Sequence, residues 1–135
     1  MKNNLKFHHL GIATKNIEKS VAVYAEIGYS VSEIKEEPSQ NVRIAFLKKA
    51  DSPTLELVEA TIADSPISRM VMQSGTTPYH TCYEVDDIWD AIDELEDRNF
   101  RTLFEPIKSD VMDNGLFCYL FSTEIGLIEL YQKAN

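Results

Sequence analysis

The chain has little of what several functional classes require. It carries no basic run longer than Lys48-Lys49, and its 13 Lys+Arg are outnumbered by 22 Asp+Glu. With a net charge of −9 and a pI near 4.7, it offers no surface for a phosphate backbone, which excludes nucleic acid as an expected partner. No window approaches the roughly 18 apolar residues of a membrane span, and "MKNNLKFHH" has no apolar signal core. A cytoplasmic protein is therefore expected. There are two cysteines, Cys82 and Cys118, and no CxxC pair; buried, reduced thiols are the expectation. Without a Gly-rich phosphate loop or a GxSxG elbow, dinucleotide binding and serine hydrolysis have no support. Low-complexity sequence is missing too. At 44% hydrophobic and 26% charged, the composition is that of an ordinary globule.

What the chain does have is a repeat. Shifted by 71 residues, "HLGIATKNIEKSVAVYAEIGY" falls on "HTCYEVDDIWDAIDELEDRNF"; shifted by 73, "VRIAFLKKADSPTLELVE" falls on "GLFCYLFSTEIGLIELYQ". Few pairs are identical, but the order of apolar, polar and turn residues agrees throughout. In each copy a short strand comes first, Phe7 to Ala13 or Tyr79 to Val85. A helix follows, begun by a polar cap at Thr14 to Asn16 or Asp86-Asp87. Ile17, Val21 and Tyr24 form its apolar stripe, with Ile88, Ile92 and Leu95 as counterparts. Gly28 or Asn99 ends it, where a left-handed residue is needed.

Three strands then follow: Tyr29 to Lys35, Val42 to Lys48 and Thr54 to Glu59 in the first copy. Phe100 to Glu105, Leu116 to Ser122 and Leu127 to Gln132 match them in the second. The expected fold is α+β, two βαβββ modules in tandem (1–60 and 79–135) forming one compact domain. A linker over 61–78 joins them, with "SPISRMVMQ" as a short helix opened by Ser65-Pro66.

The same register pairs the residues that carry chemistry. His9 meets His80, and Glu56 meets Glu129. A carboxylate in an apolar strand such as "LIELYQ" is costly to desolvate unless paired, hydrogen-bonded or metal-bound. Alone, each of the four has an ordinary explanation, a core histidine or a solvated glutamate. Recurring together, they predict one site: if two curved sheets meet side by side, two imidazoles and two carboxylates line a cleft. Such an N2O2 set suits Zn, Co, Ni or Mn. His8 competes with His9, but strand alternation puts it on the face of Leu10 and Ile12.

"HHLGIATKNIEKSVAVY", "NVRIAFL", "LELVEATIADSPISRMV", "YHTCYEVDDIWDAIDEL" and "GLIELYQ" resemble the vicinal oxygen chelate superfamily of glyoxalases and extradiol dioxygenases, above all its methylmalonyl-CoA epimerase branch. The resemblance implies a metal-lined cleft with His9, Glu56, His80 and Glu129 as ligands of a divalent ion. It also implies an isomerase that removes the α-proton of an acyl-CoA thioester, and a homodimer. Glu129 is the expected base and Glu56 its opposite number, with Glu36 or Glu84 as substitutes. Lys35, Arg43, Lys48, Lys49 and Arg69 are candidate cations for the coenzyme's phosphates. "PYHTCYEV" and "EIGLIEL" depart from the epimerase pattern. A glyoxalase-type lyase acting on a hemithioacetal is therefore the alternative, with a drug-sequestering binding protein behind it.

Overall fold

Both expected module helices begin at a polar cap. In the computed structural model, which describes all 135 residues, α1 (Ile17–Glu26) starts after Asn16, whose side chain accepts from the Lys19 N–H. The counterpart α3 (Ile88–Glu96) starts after Asp87, which accepts from the Asp90 N–H. Each cap satisfies one of the N–H groups that a first helical turn leaves without a partner. Both helices end as expected, at Gly28 with φ +106 and at Asn99 with φ 67. The chain then folds back, with Tyr29 N–H donating to Tyr24 O and Phe100 N–H to Leu95 O.

The chain divides into two compact units. One is His9–Tyr79; the other joins Met1–His8 to His80–Asn135. In the first, β1 (Lys6–Ala13, counted here from His9) runs parallel to β5 (Leu55–Ala60), with Leu10 opposite Leu55 and Ala13 opposite Val58. Antiparallel β4 (Val42–Lys48) follows, and β2 (Ser30–Val31) and β3 (Lys35–Glu37) pair with its far edge. Helix α2 (Pro66–Ser74) opens at Ser65-Pro66 as expected, with the Ser65 hydroxyl accepting from Ser68 N–H.

The second unit repeats the plan. β6 (Thr77–Glu84) runs parallel to β10 (Gly126–Gln132), which pairs antiparallel with β9 (Gly115–Ser122). β7 (Arg101–Thr102) and β8 (Ile107–Ser109) take the edge of β9. These are the expected βαβββ modules, each built on a mixed sheet.

One expectation needs correction in both modules. The single strand expected after each helix is split in two. Val31 faces Leu47 while Lys35 faces Ile44, so the outer strand carries one residue more than its partner, and an extra residue cannot be paired without a break. Ser32 occupies the break, its N–H donating to Phe46 O and its hydroxyl accepting from Phe46 N–H. The second module breaks similarly between Thr102, opposite Leu120, and Ile107, opposite Phe117.

Each sheet buries one face under its own helix. Ile12, Ile17, Ala45, Leu47 and Leu57 form the first core. The second is larger, with Ile88, Ala91, Ile92 and Leu95 of α3 packed on Cys118, Leu120, Ile128 and Leu130. The N-terminal arm adds to it. Leu5 packs against this core, and the N–H groups of Lys2 and Asn3 both donate to the Glu94 carboxylate at 2.8 Å. No helix is long and apolar enough to cross a membrane.

Candidate functional site

Alternation along β5 sends Leu55 and Leu57 toward the helix-covered core and Glu56 to the opposite face. Glu56 is nevertheless buried, at 2% exposure, as is His9 at 0%. In this unit His9 Nε2 lies 3.4 Å from Glu56 Oε1. The imidazole is held edge-on by the Phe46 ring, centroid to centroid 5.5 Å, and Phe46 sits directly across the ladder from Glu56.

The other unit builds the same arrangement from different residues. His80 Nε2 lies 3.1 Å from Glu129 Oε1, and both side chains are buried. Tyr119 stands edge-on to the His80 ring at 5.3 Å and directly across from Glu129. Two half-sites thus share a histidine, a glutamate and an aromatic brace. The braces are residues that sequence reasoning missed. The signal was present, since Phe46 and Tyr119 stand in the same 73-residue register as Glu56 and Glu129.

Each half-site offers one imidazole nitrogen and one carboxylate oxygen, donors able to hold a metal. The spacing can be tested against that role. Two ligands bound at about 2.1 Å, at angles between square and tetrahedral, stand about 3.0 to 3.4 Å apart. The observed 3.1 and 3.4 Å fall in that range, so each pair fits two positions on one ion.

The remaining candidates are placed elsewhere. His8 stacks obliquely on Tyr131, centroids 5.0 Å apart. Glu36 is exposed on the edge strand β3, and Glu84 is paired with Lys133 Nζ at 3.2 Å. Among the candidate cations, Arg43 is bound to both Glu18 and Glu59 at 2.7 Å. Arg69 is held by Asp64 at 2.6 Å, and Lys49 lies 5.9 Å over the Tyr29 ring. Cys82 and Cys118 are buried and not joined in a disulfide, as expected. Burial, and then the charge of Glu129, pushes the Cys118 thiol up to about 12, so it stays protonated and chemically quiet near neutral pH.

The family model of the Glyoxalase/Bleomycin resistance protein/Dioxygenase superfamily matches residues 8–119. The human mitochondrial methylmalonyl-CoA epimerase is 31% identical over 105 residues, covering 76% of this chain and 59% of that protein. An ethylmalonyl-CoA/methylmalonyl-CoA epimerase of Cereibacter sphaeroides is 29% identical over 100 residues, covering 73% of this chain and 74% of that one. A Streptomyces coelicolor methylmalonyl-CoA epimerase variant, solved with 2-nitronate-propionyl-CoA, superposes with a TM-score of 0.85 at 25% identity, covering 98% of this chain and all of that one. The chain spans less than two thirds of the human relative's length. It belongs to the glyoxalase/bleomycin resistance/dioxygenase superfamily, also called the vicinal oxygen chelate superfamily.

Proposed function

From membership of that superfamily, we propose that this chain is a metal-dependent isomerase that removes the α-proton of an acyl-CoA thioester, methylmalonyl-CoA or a near analogue. The observation that carries the reading is the pair of buried half-sites, each with its histidine and glutamate at ligand-to-ligand spacing. In this reading His9, Glu56, His80 and Glu129 together hold one divalent ion, Co, Mn, Ni or Zn. When bound, the ion supplies positive charge for the oxygen anion that develops as the α-proton leaves.

The chain's own residues do the rest. His9 and His80 present Nε2, their rings kept in orientation by Phe46 and Tyr119. Glu129 takes the proton from one face of the α-carbon. Glu56 returns one to the other face, with the roles exchanged for the opposite enantiomer. Exchange of the proton's face inverts the centre without any net change in atoms. A homodimer is part of the proposal, with each site's ligands drawn from one chain. A protein that only sequesters a small molecule has no need of these buried carboxylates, whose desolvation is costly.

The test is proton NMR in D2O with metal-replete protein. Solvent deuterium is expected to enter the α-position of methylmalonyl-CoA, and Glu129→Gln is expected to abolish it. Turnover of the methylglyoxal–glutathione hemithioacetal without any such exchange would replace the isomerase by the lyase.

A further inference from the structure

The break in each outer strand lies opposite a residue of the candidate site. In the first unit Val31 pairs with Leu47 and Lys35 with Ile44, so the stretch between faces Ala45 and Phe46. Phe46 is the ring that stands edge-on to His9. In the second unit Thr102 pairs with Leu120 and Ile107 with Phe117. The stretch left there faces Cys118 and Tyr119, and Tyr119 is the ring edge-on to His80. Extra residues bend a strand and can re-aim a side chain, and such bulges gather beside active sites.

Both breaks take hold of the ring-bearing residue opposite. At positions that correspond in the repeat, Ser32 N–H donates to Phe46 O and Leu103 N–H to Tyr119 O, each at 2.9 Å. The second hold differs between the units. In the first it is polar: the Ser32 hydroxyl accepts from Phe46 N–H at 2.8 Å and donates to Glu33 O at 3.1 Å. In the second it is aromatic. Phe104, inside the break, stands 5.8 Å from both Tyr119 and Phe117, with interplanar angles of 72° and 77°. Phe117 completes the triangle with Tyr119 at 6.3 Å. Edge-on pairs at this spacing are favourable and set how a ring is turned as well as where it sits. Phe46, Phe104 and Tyr119 are only half-buried, so core packing alone does not fix them.

We propose that each break is a positioning device, with Ser32 acting on His9 through Phe46 and Phe104 acting on His80 through Tyr119. Both act at one remove. Each restrains a ring that in turn restrains the imidazole, and so keeps Nε2 at its distance from the carboxylate, 3.4 Å to Glu56 and 3.1 Å to Glu129. The assignment rests on the isomerase reading above and adds two residues that reading does not contain. It also gives the split outer strands a role that pairing alone does not.

The experiment is proton NMR of the imidazole resonances, recorded with zinc bound and again after chelator; the chain's three histidines keep the spectrum simple. Phe104→Leu keeps apolar bulk but removes the ring, and is expected to shift the His80 resonances and leave those of His9. Ser32→Ala, at an exposed position where folding is not at stake, is expected to do the reverse. Phe104→Tyr and Ser32→Thr keep the ring and the hydroxyl, and should leave both histidines where they are in the unaltered protein. α-Proton exchange is measured in parallel. In Phe104→Leu its kcat should fall by about threefold to tenfold with KM unchanged, less than the roughly 10–100-fold of a group bonded directly to a metal ligand. Target histidines that do not move, both histidines moving alike, or conservative variants that change as much would each overturn the assignment. Two outcomes keep the ideas apart. Selective shifts without α-proton exchange by the unaltered protein remove the isomerase alone, and exchange with unmoved histidines removes the positioning role alone.

Discussion

The two modules solve one problem with different chemistry. In each, the last strand sends a side chain to the N-terminus of the module's own helix. In the first, Glu59 Oε2 accepts from Ile17 N–H at 2.9 Å; in the second, Gln132 Oε1 accepts from Ile88 N–H at 2.7 Å. The positions correspond in the repeat. The charged version recruits Arg43, which bonds Glu59 through Nε and Nη2 and reaches Glu18 on α1. The neutral version needs no cation, and Leu116 stands where the repeat would place an Arg43 counterpart.

The helices differ to match. α1 buries only Ile17 and leaves Val23 more than half exposed, whereas α3 buries four residues. One module adds an ionic link to a thinner apolar contact of its helix, while the other relies on a broader apolar contact. The topology depends on where the strand end meets the helix, and the chemistry of that contact is open to substitution.

The largest expected effect tests where the modules agree. A His80→Ala, Glu129→Ala double variant, or His9→Ala with Glu56→Ala, should lose most of the bound metal, because each removes half the donors of a proposed four-ligand site. Elemental analysis of protein purified without chelator reads this directly. Full metal content in either variant would show that its half-site is structural.

The next effect tests where they differ. Leu57 and Leu130 are both wholly buried, but Leu130 belongs to the cluster of nine buried residues and Leu57 to that of five. Replacing a buried leucine by alanine costs about 2–5 kcal/mol, the more so where neighbours cannot close the cavity. Leu130→Ala should lie at the upper end and Leu57→Ala at the lower, read from urea unfolding. The reverse order would mean that the ionic anchor of α1 holds its surroundings more rigidly than the apolar one.

The smallest effect concerns the ionic cap. Glu59→Gln keeps an acceptor for Ile17 N–H but removes the charge facing Arg43, at an expected cost of about 1 kcal/mol. Acid should act on the same network. Hydrogen bonding from Arg43 holds the Glu18 carboxyl below its ordinary value of 4.5. A depressed folded value means that its contribution is fully present above that ordinary value and lost as pH falls through the lower one. Glu18→Gln should therefore flatten the melting-temperature profile below about pH 4.5, and an unchanged acid limb would show the pair to be idle in solution.

The repeat, the strand-helix order, the caps and the four candidate ligands were all legible in the chain, because each rests on local periodicity or on residues recurring at a fixed offset. Apolar spacing reports which face of a helix is covered, and Gly28 and Asn99 report where it must stop. The edge strands were read less well. Whether Tyr29 to Lys35 forms one strand or two depends on how many residues β4 sets opposite it, which the edge sequence alone does not contain. Likewise Glu36 and Arg43 read as available charges, and only packing shows one exposed and the other bound to two carboxylates. The aromatic braces Phe46 and Tyr119 look like ordinary core residues until cross-strand register sets them against Glu56 and Glu129. So the sequence by itself determined the modules and nominated four candidate ligands, since periodicity and register are properties of a string. Tertiary structure alone decided which charges are neutralised, which rings hold the histidines and how far each imidazole stands from its carboxylate, because those depend on distances between residues remote in the chain.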